Sequence, residues 1–310
     1  AAGRAAGMIV RPRPHWLGIL FVWHGSVLPR ILPQLGLITL LALVVTLSHG
    51  VLLGWKVTLT PMPFTLVGIA LAIFLGFRNT ASYDRYWEAR KLWGQGLNDC
   101  RTLARQSLTL LDAPVNPQPF VYGLIGFIHA LRGQLRRQPV EETLRTLLPA
   151  ELLARLQQAH YPPALILLWL GQWLQQQRQH GHLQPILAAK MEDALSGLTQ
   201  VLGGCERIAS TPIPFAYSVI LYRTVALYCL LLPFGLVDSL GWMTPLVTAF
   251  LSYTFFAQEA LLSDIEDPFG HAANDLPLDA MSRMIERTLR EMLGEATLPD
   301  MPASHRFVQT

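Results

Sequence analysis

Two long apolar segments constrain the fold of this chain more than any other feature. They are residues 31–55, ILPQLGLITLLALVVTLSHGVLLGW, and residues 217–237, YSVILYRTVALYCLLLPFGLV. Each is long enough for a helix that crosses the hydrocarbon core of a bilayer, which takes about 20 residues. Composition agrees, because 15% of the residues are charged, against about 25% in soluble domains. Since no segment shows the alternating pattern of a strand, the sequence predicts an all-α membrane protein.

Two further segments are plausible spans. Residues 63–77 carry no charge, but this run of about 15 residues is short of a full crossing. The helical pattern then continues as the polar run RNTASYDRYWEAR, without another proline. Residues 240–262 form the last apolar segment. The sequence thus predicts four transmembrane helices per subunit, arranged as two hairpins over about 31–83 and 217–262.

The distribution of basic residues predicts the orientation of these helices. The link inside the first hairpin has Lys56 as its basic residue, and the link inside the second hairpin has none. The other ends of the spans are rich in basic residues, namely Arg11, Arg13, Arg30, Arg78, Arg85, Arg90, Lys91, Arg101 and Arg105. Because basic residues are retained on the cytoplasmic side, we expect a multi-pass protein of the cell membrane with both termini in the cytoplasm.

The segments outside the hairpins predict a helical cytoplasmic region over about 88–210 and 263–310. Apolar residues recur there at helical spacing, and proline and glycine separate the runs. The run PPALILLWLGQWL, which starts at Pro162, is too short to cross a bilayer. The run DAMSRMIERTLREMLGEA near the C-terminal end is amphipathic, which is typical of a helix that packs on a protein core.

The sequence contains no recognisable arrangement of catalytic residues. No nucleophile with a base, metal cluster or phosphate-binding loop is visible, and Cys100, Cys205 and Cys229 follow no metal or redox spacing. We therefore expect neither an enzyme nor a resident cofactor or metal. The net charge of +3 is small and the arginines are dispersed, which argues against a nucleic-acid partner.

An acidic segment after the fourth apolar run permits two interpretations. Asp264, Glu266 and Asp267 stand close together in LLSDIEDPFG. Carboxylates are ligands for a divalent cation, so a residual ion site near Asp264 and Asp267 is one possibility. Capping of a helix end, with pairing to basic residues at the membrane interface, is at least as well supported by the pattern.

Five short elements, in this order along the chain, resemble the bestrophin family of ion channels in its bacterial branch. The resemblance covers most of the chain from Pro12 to about Glu291. The elements are WHGSV at 23–27, GFRNTASYDRYWEARKLWG at 76–94, QPI at 184–186, TPIPFAYSVILYRT at 211–224 and EDPFG at 266–270. The resemblance implies a single bestrophin-like domain over 1–310, and a homopentamer around a central pore.

The resemblance also implies which residues line the pore. Ile69, Ile73 and Phe77 take the positions of a narrow neck, and Ile186 takes that of a second, cytoplasmic constriction. Steps of four residues put the first three on one helical stripe, although a core stripe would have the same spacing. A ring of apolar side chains can gate by expelling water, and Gly76 would let adjacent helices approach closely.

Ion selectivity and gating are expected from the resemblance rather than from residue patterns. The bacterial branch is associated with monovalent cations, sodium included, and the neck offers no charge of its own. Animal members have an acidic, calcium-binding run after Pro-Phe-Gly, where this chain reads HAANDLPLD with only Asp275 and Asp279. Calcium needs six to eight oxygen ligands, so we expect a channel without calcium gating. The implied partners are copies of the same chain, permeating monovalent ions and the lipid bilayer.

Two other functions are compatible with a membrane protein of this kind. A secondary transporter typically shows inverted repeats and broken helices, and no repeat is visible in this chain. A membrane scaffold protein would explain the large cytoplasmic region, but not the ordered set of family elements.

Overall fold

The computed structural model describes residues 8–9, 22–23, 25–52, 55–56, 59–112, 114–272, 274–302 and 308–309. Within this part of the chain, every element longer than two residues is a helix, which confirms the predicted all-α fold. The helices are α1 Leu28–Leu47, α2 Pro61–Thr109, α3 Gln118–Arg136, α4 Glu141–Arg145, α5 Ala150–Leu156, α6 Pro162–Gln179, α7 Pro185–Ser210, α8 Phe215–Leu240, α9 Thr244–Ile265 and α10 Leu278–Met292, with a 3-10 turn at Gly241–Met243.

Four two-residue strands are an addition that the sequence pattern did not predict. β1 (Met8–Ile9) pairs antiparallel with β4 (Val308–Gln309). β2 (Val51–Leu52) pairs antiparallel with β3 (Trp55–Lys56), in the link that follows α1. Period-two alternation needs longer runs than this, so such short pairs leave no trace in the sequence.

The chain divides into two compact units. Unit I comprises residues 12–86 and 212–267, and unit II comprises residues 1–11, 87–211 and 268–310. Helix α2 contributes its first half to unit I and its second half to unit II. The assignment of the hairpins to the membrane and of the remainder to the cytoplasm stays a prediction.

Helix α2 is the longest element and contains 49 residues, which corresponds to roughly 70 Å at 1.5 Å per residue. It has no proline after Pro63, and it continues without a break where the apolar run changes to RNTAS. It ends at Thr109, five residues before Pro114. An apolar and a polar segment are therefore parts of one helix.

The core of unit I joins its four long helices. Its buried side chains come from all of them and include Ile31, Ile38, Leu71, Leu75, Leu221, Val225, Leu232, Phe256 and Ala260. Tyr228 packs between Phe64 and Phe255, with ring centroids 6.1 and 5.4 Å apart. Gly235 faces the Phe64 ring so closely that a methyl group would collide with it. Small residues at such points allow close packing of helices where lipid removes the hydrophobic driving force.

The core of unit II surrounds α3. Phe120, Leu124, Phe127 and Leu131 of this helix are all completely buried. The Phe120 ring lies 4.7 Å from that of Trp173 on α6. Helix α10 packs on α3 with its apolar side buried, as the amphipathic pattern predicted.

A buried polar cluster joins α3 to α10. His129 Nε2 lies 2.9 Å from Glu286 Oε2, and both side chains are almost fully buried. The same carboxylate accepts hydrogen bonds from Arg283 at 2.7 Å and from Arg290 at 3.0 Å. Arg132 lies near enough to act on the imidazole electrostatically. Removing one member would leave a buried charge without compensation.

Burial determines the protonation states in this cluster. Desolvation lowers the pKa of His129 below its ordinary value of 6.5, and the positive charge of Arg132 acts in the same direction. Burial by itself would raise the pKa of Glu286, but the hydrogen bond from His129 and the nearby guanidinium groups outweigh it and lower that pKa. The unfolded chain therefore takes up protons first as the pH falls, and acid destabilises the contact between α3 and α10.

Candidate functional site

The three predicted neck residues lie together on one exposed stripe of α2. The exposed fractions are 56% for Ile69, 53% for Ile73 and 66% for Phe77. The opposite face of the same helix contains Leu71 and Leu75, each 2% exposed. The stripe is therefore not part of the core of a single chain. Its role as a pore neck stays a prediction.

Gly76 lies beside this stripe and is exposed as well. A methyl group built on its α-carbon meets no atom of the chain within 4 Å. Packing within one chain therefore does not require a glycine at this position. A close approach of helices from neighbouring copies would require it.

Arg78 holds one face of α2 against the core of unit I. Its side chain is 3% exposed. The guanidinium group lies 3.0 Å from the carboxylate of Glu266 and 3.8 Å from that of Glu259 on α9. Such a buried pair is strongly destabilised when one partner is lost, by roughly 3–5 kcal/mol. Because Arg78 follows Phe77 directly and is held against α9, Phe77 projects away from the core. The sequence analysis used Arg78 only as a marker of orientation and missed this role.

Two of the three carboxylates at the end of α9, those of Asp264 and Glu266, are paired with arginines. Asp264 lies 2.7 Å from Arg30, and Glu266 lies 3.0 Å from Arg78. Of the two interpretations that the sequence left open, ion pairing is the one that the structure shows. Among the described residues, no group of three or more histidine, cysteine, aspartate or glutamate side chains is placed to hold a metal ion.

The two aspartates that remain after Pro-Phe-Gly are also engaged within the protein. Asp275 is 2% exposed and accepts a hydrogen bond of 2.6 Å from the backbone N–H of Ala272. Asp279 pairs with Arg132 at 3.0 Å and with Arg136 at 2.6 Å. Both carboxylates stabilise unit II, and a cation would have to compete with these partners.

Ile186 lies in the first turn of α7, in unit II. Its side chain is 71% exposed. The preceding Gln184 donates a hydrogen bond of 3.2 Å to Asp112, which attaches the start of α7 to the loop after α2. The structure thus presents Ile186 on a fixed helix end, as a constriction would require, but its role stays a prediction.

Asp84 is a further candidate that the sequence analysis missed. It follows Phe77 by seven residues, which is close to two helical turns, so it lies on the same side of α2. Its side chain is exposed and has no ion-pair partner among the described residues. The signal was present in the sequence, because continuing the neck stripe by two turns reaches this carboxylate.

The comparison with known proteins explains why these residues occur together. The family described as Bacterial/Fungal Bestrophin protein matches residues 8–291. The chain belongs to the bacterial and fungal bestrophin family. The resemblance inferred from the five short elements is thereby confirmed.

Relatives of this bestrophin match over nearly their whole length. A voltage-dependent anion channel-forming protein of Ralstonia nicotianae is 49% identical over 97% of this chain and 99% of its own. The protein of the same name from Escherichia coli is 48% identical over 94% of this chain and 96% of its own. A crystal structure of a bacterial bestrophin homologue from Klebsiella pneumoniae has 46% identity and a TM-score of 0.83, covering 86% of this chain and 100% of the other.

The helices of this bestrophin are consistent with a membrane protein. Three described stretches are long and apolar enough to cross a bilayer, namely Leu28–Leu47, Pro61–Thr109 and Phe215–Ile265. The last of these contains α8 and α9, separated by the turn Gly241–Met243. Together with the family, they place the protein in a membrane. The number of crossings and the side of the termini stay predictions, and Arg11 and Arg13 lie outside the described residues.

Proposed function

We propose that this bestrophin is a membrane ion channel. It is a homopentamer whose central pore has a neck formed by Ile69, Ile73 and Phe77. The observation that carries the proposal is the apolar stripe of α2, more than half exposed while the opposite face is buried and ion-paired. Two relatives at 48–49% identity bear the name of channel-forming proteins, which supports the same function.

Five copies of the stripe form a hydrophobic constriction. An ion that enters it loses hydration without gaining protein ligands, so the neck conducts only when water fills it. Ile186 forms a second constriction on the cytoplasmic side, where both termini lie. Because Asp275 and Asp279 are engaged in protein contacts, the pore is not gated by calcium.

Asp84 favours monovalent cations, sodium included, as the permeating ions. In the pentamer, five carboxylates form a ring about 10 Å along the helix from Phe77, at 1.5 Å per residue. Rings of carboxylates select cations in channels. Anions are the second candidate, because the relatives are named as anion channel-forming proteins.

Single-channel recording of the purified protein in a planar bilayer tests the function. We expect unitary current steps, and five subunits by mass measurement in detergent. Transport without unitary steps would favour a secondary transporter, and the absence of any current would favour a membrane scaffold. Either result, or a conducting monomer or dimer, would overturn the proposal.

Reversal potentials in asymmetric NaCl distinguish the two ion classes. For the wild type, we expect a reversal potential shifted towards that of sodium, and a smaller shift in Asp84→Asn. The matched control is Asp193→Asn, which removes an exposed carboxylate that pairs with Lys190 on α7 and should leave selectivity unchanged. A reversal potential shifted towards that of chloride would establish an anion channel instead.

A further inference from the structure

A cavity in unit II has no part in the proposed ion pathway. It has a volume of about 580 Å³ and lies between the end of α3, the short helices α4 and α5, and the start of α6. This is within the range of about 300–1,000 Å³ that is typical of small-molecule sites. Its wall is mainly apolar and includes Ala130, Val140, Leu144, Leu153 and Leu156.

The ionisable groups of the cavity are predominantly basic. Arg137, Arg145 and His160 line it, against the single carboxylate of Glu141. Glu141 lies 4.0 Å from Arg145, and both side chains are more than 60% exposed, so this ion pair is weak. The guanidinium group of Arg137 has no hydrogen-bond or ion-pair partner among the described residues.

The position of Arg137 is itself unusual. It terminates α3 in the left-handed conformation, with φ of 53°, where glycine is the favoured residue. Its N–H bonds to Gln134 O at 3.3 Å, and that of Gln138 bonds to Gly133 O at 2.9 Å, which is the pattern of a Schellman motif. An arginine thus stands at the cavity, at a position where glycine would be less strained.

Gln134 is a further polar residue of the lining. Gln134 donates its amide N–H to Glu206 at 2.6 Å, but its buried Oε1 atom has no hydrogen-bond partner within the described structure. Gln134 also lines the cavity. Because this oxygen is fully buried, a molecule in the cavity cannot reach it, and the arginines are the groups available to a ligand.

We propose that this cavity binds a small organic monoanion with an apolar body. The carboxylate of the ligand pairs with Arg137 and Arg145, and its apolar part contacts the leucine and alanine side chains. The site lies within one subunit, so its occupancy does not depend on the neck or on conduction.

The proposal is tested with hydroxynaphthoate, which combines a carboxylate with an apolar ring system. Binding to the full-length protein in lipid nanodiscs is measured by equilibrium dialysis, with empty nanodiscs as the blank. We expect saturable binding of hydroxynaphthoate, and binding of the uncharged hydroxynaphthamide weaker by about tenfold or more, because hydrogen bonds to charged groups are the stronger ones. Equal binding of the two probes, or no binding above that of empty nanodiscs, would overturn the proposal.

Two variants distinguish a specific loss of ligand binding from a general loss of folding. Arg137→Gly removes the cation and also relaxes the backbone, so we expect at least about tenfold weaker binding with an equal or higher melting temperature. Ala154→Trp fills the cavity from an exposed position on α5 and should abolish binding at an unchanged melting temperature. If both variants bind the probe like the wild type, the ligand is not in this cavity.

Discussion

Truncation of Phe77 tests the neck against a matched residue on the same helix. Phe77 is 66% exposed in the single chain, whereas Leu75, two residues earlier, is 2% exposed and lies in the core of unit I. If α2 lines the pore, Phe77→Ala widens the constriction in all five subunits at once. Leu75→Ala instead leaves a cavity within each subunit.

The expected magnitudes follow from these exposures. Complete removal of a buried leucine side chain costs roughly 2–5 kcal/mol, and that of a buried phenylalanine roughly 3–5 kcal/mol. Because only about a third of Phe77 is buried, Phe77→Ala should cost roughly 1–2 kcal/mol of stability. Its conductance should rise, since each decrease of about 1.4 kcal/mol in the barrier to ion entry raises the rate about tenfold.

Conductance and thermal stability should be measured on the same preparations of both variants. We expect Phe77→Ala to conduct better at a nearly normal melting temperature, and Leu75→Ala to lose stability without a gain in conductance. If Phe77→Ala is as destabilising as Leu75→Ala and its surviving channels conduct like the wild type, the stripe only packs against another surface.

Three further predictions concern assembly, pH and calcium. Gly76→Ala should leave the fold of each chain intact, because the added methyl group meets no atom of the chain, but it should weaken the pentamer, as measured by mass in detergent. The melting temperature should decrease as the pH falls below 6.5, because the unfolded chain then binds a proton that the buried His129 does not bind. This decrease in melting temperature should be smaller in His129→Gln. An identical pH dependence of the variant would show that another group is responsible. Currents should not change when micromolar calcium is added or chelated, and a steep response would mean that carboxylates or backbone carbonyls still form a calcium site.

Much of the fold was predictable because its signals are local. The apolar runs, the continuous helical pattern after residue 63 and the five family elements depend on neighbouring residues, and they predicted an all-α bestrophin. The neck candidates were predictable as a stripe for the same reason, because a spacing of four residues places side chains on one helical face. The amphipathic pattern of α10 likewise identified its buried face.

The tertiary structure decided which partner each face and each charge has. Periodicity shows that Ile69 and Phe77 share a face, but not whether that face meets the core, because Leu71 and Leu75 form an equally apolar stripe. The ion pairs of Arg30 with Asp264 and of Arg78 with Glu266 are the contacts that orient these helices. Their members are separated by 234 and 188 residues. The sequence by itself therefore determined the helices and the family, while only packing between distant segments decided which side chains of α2 remain exposed.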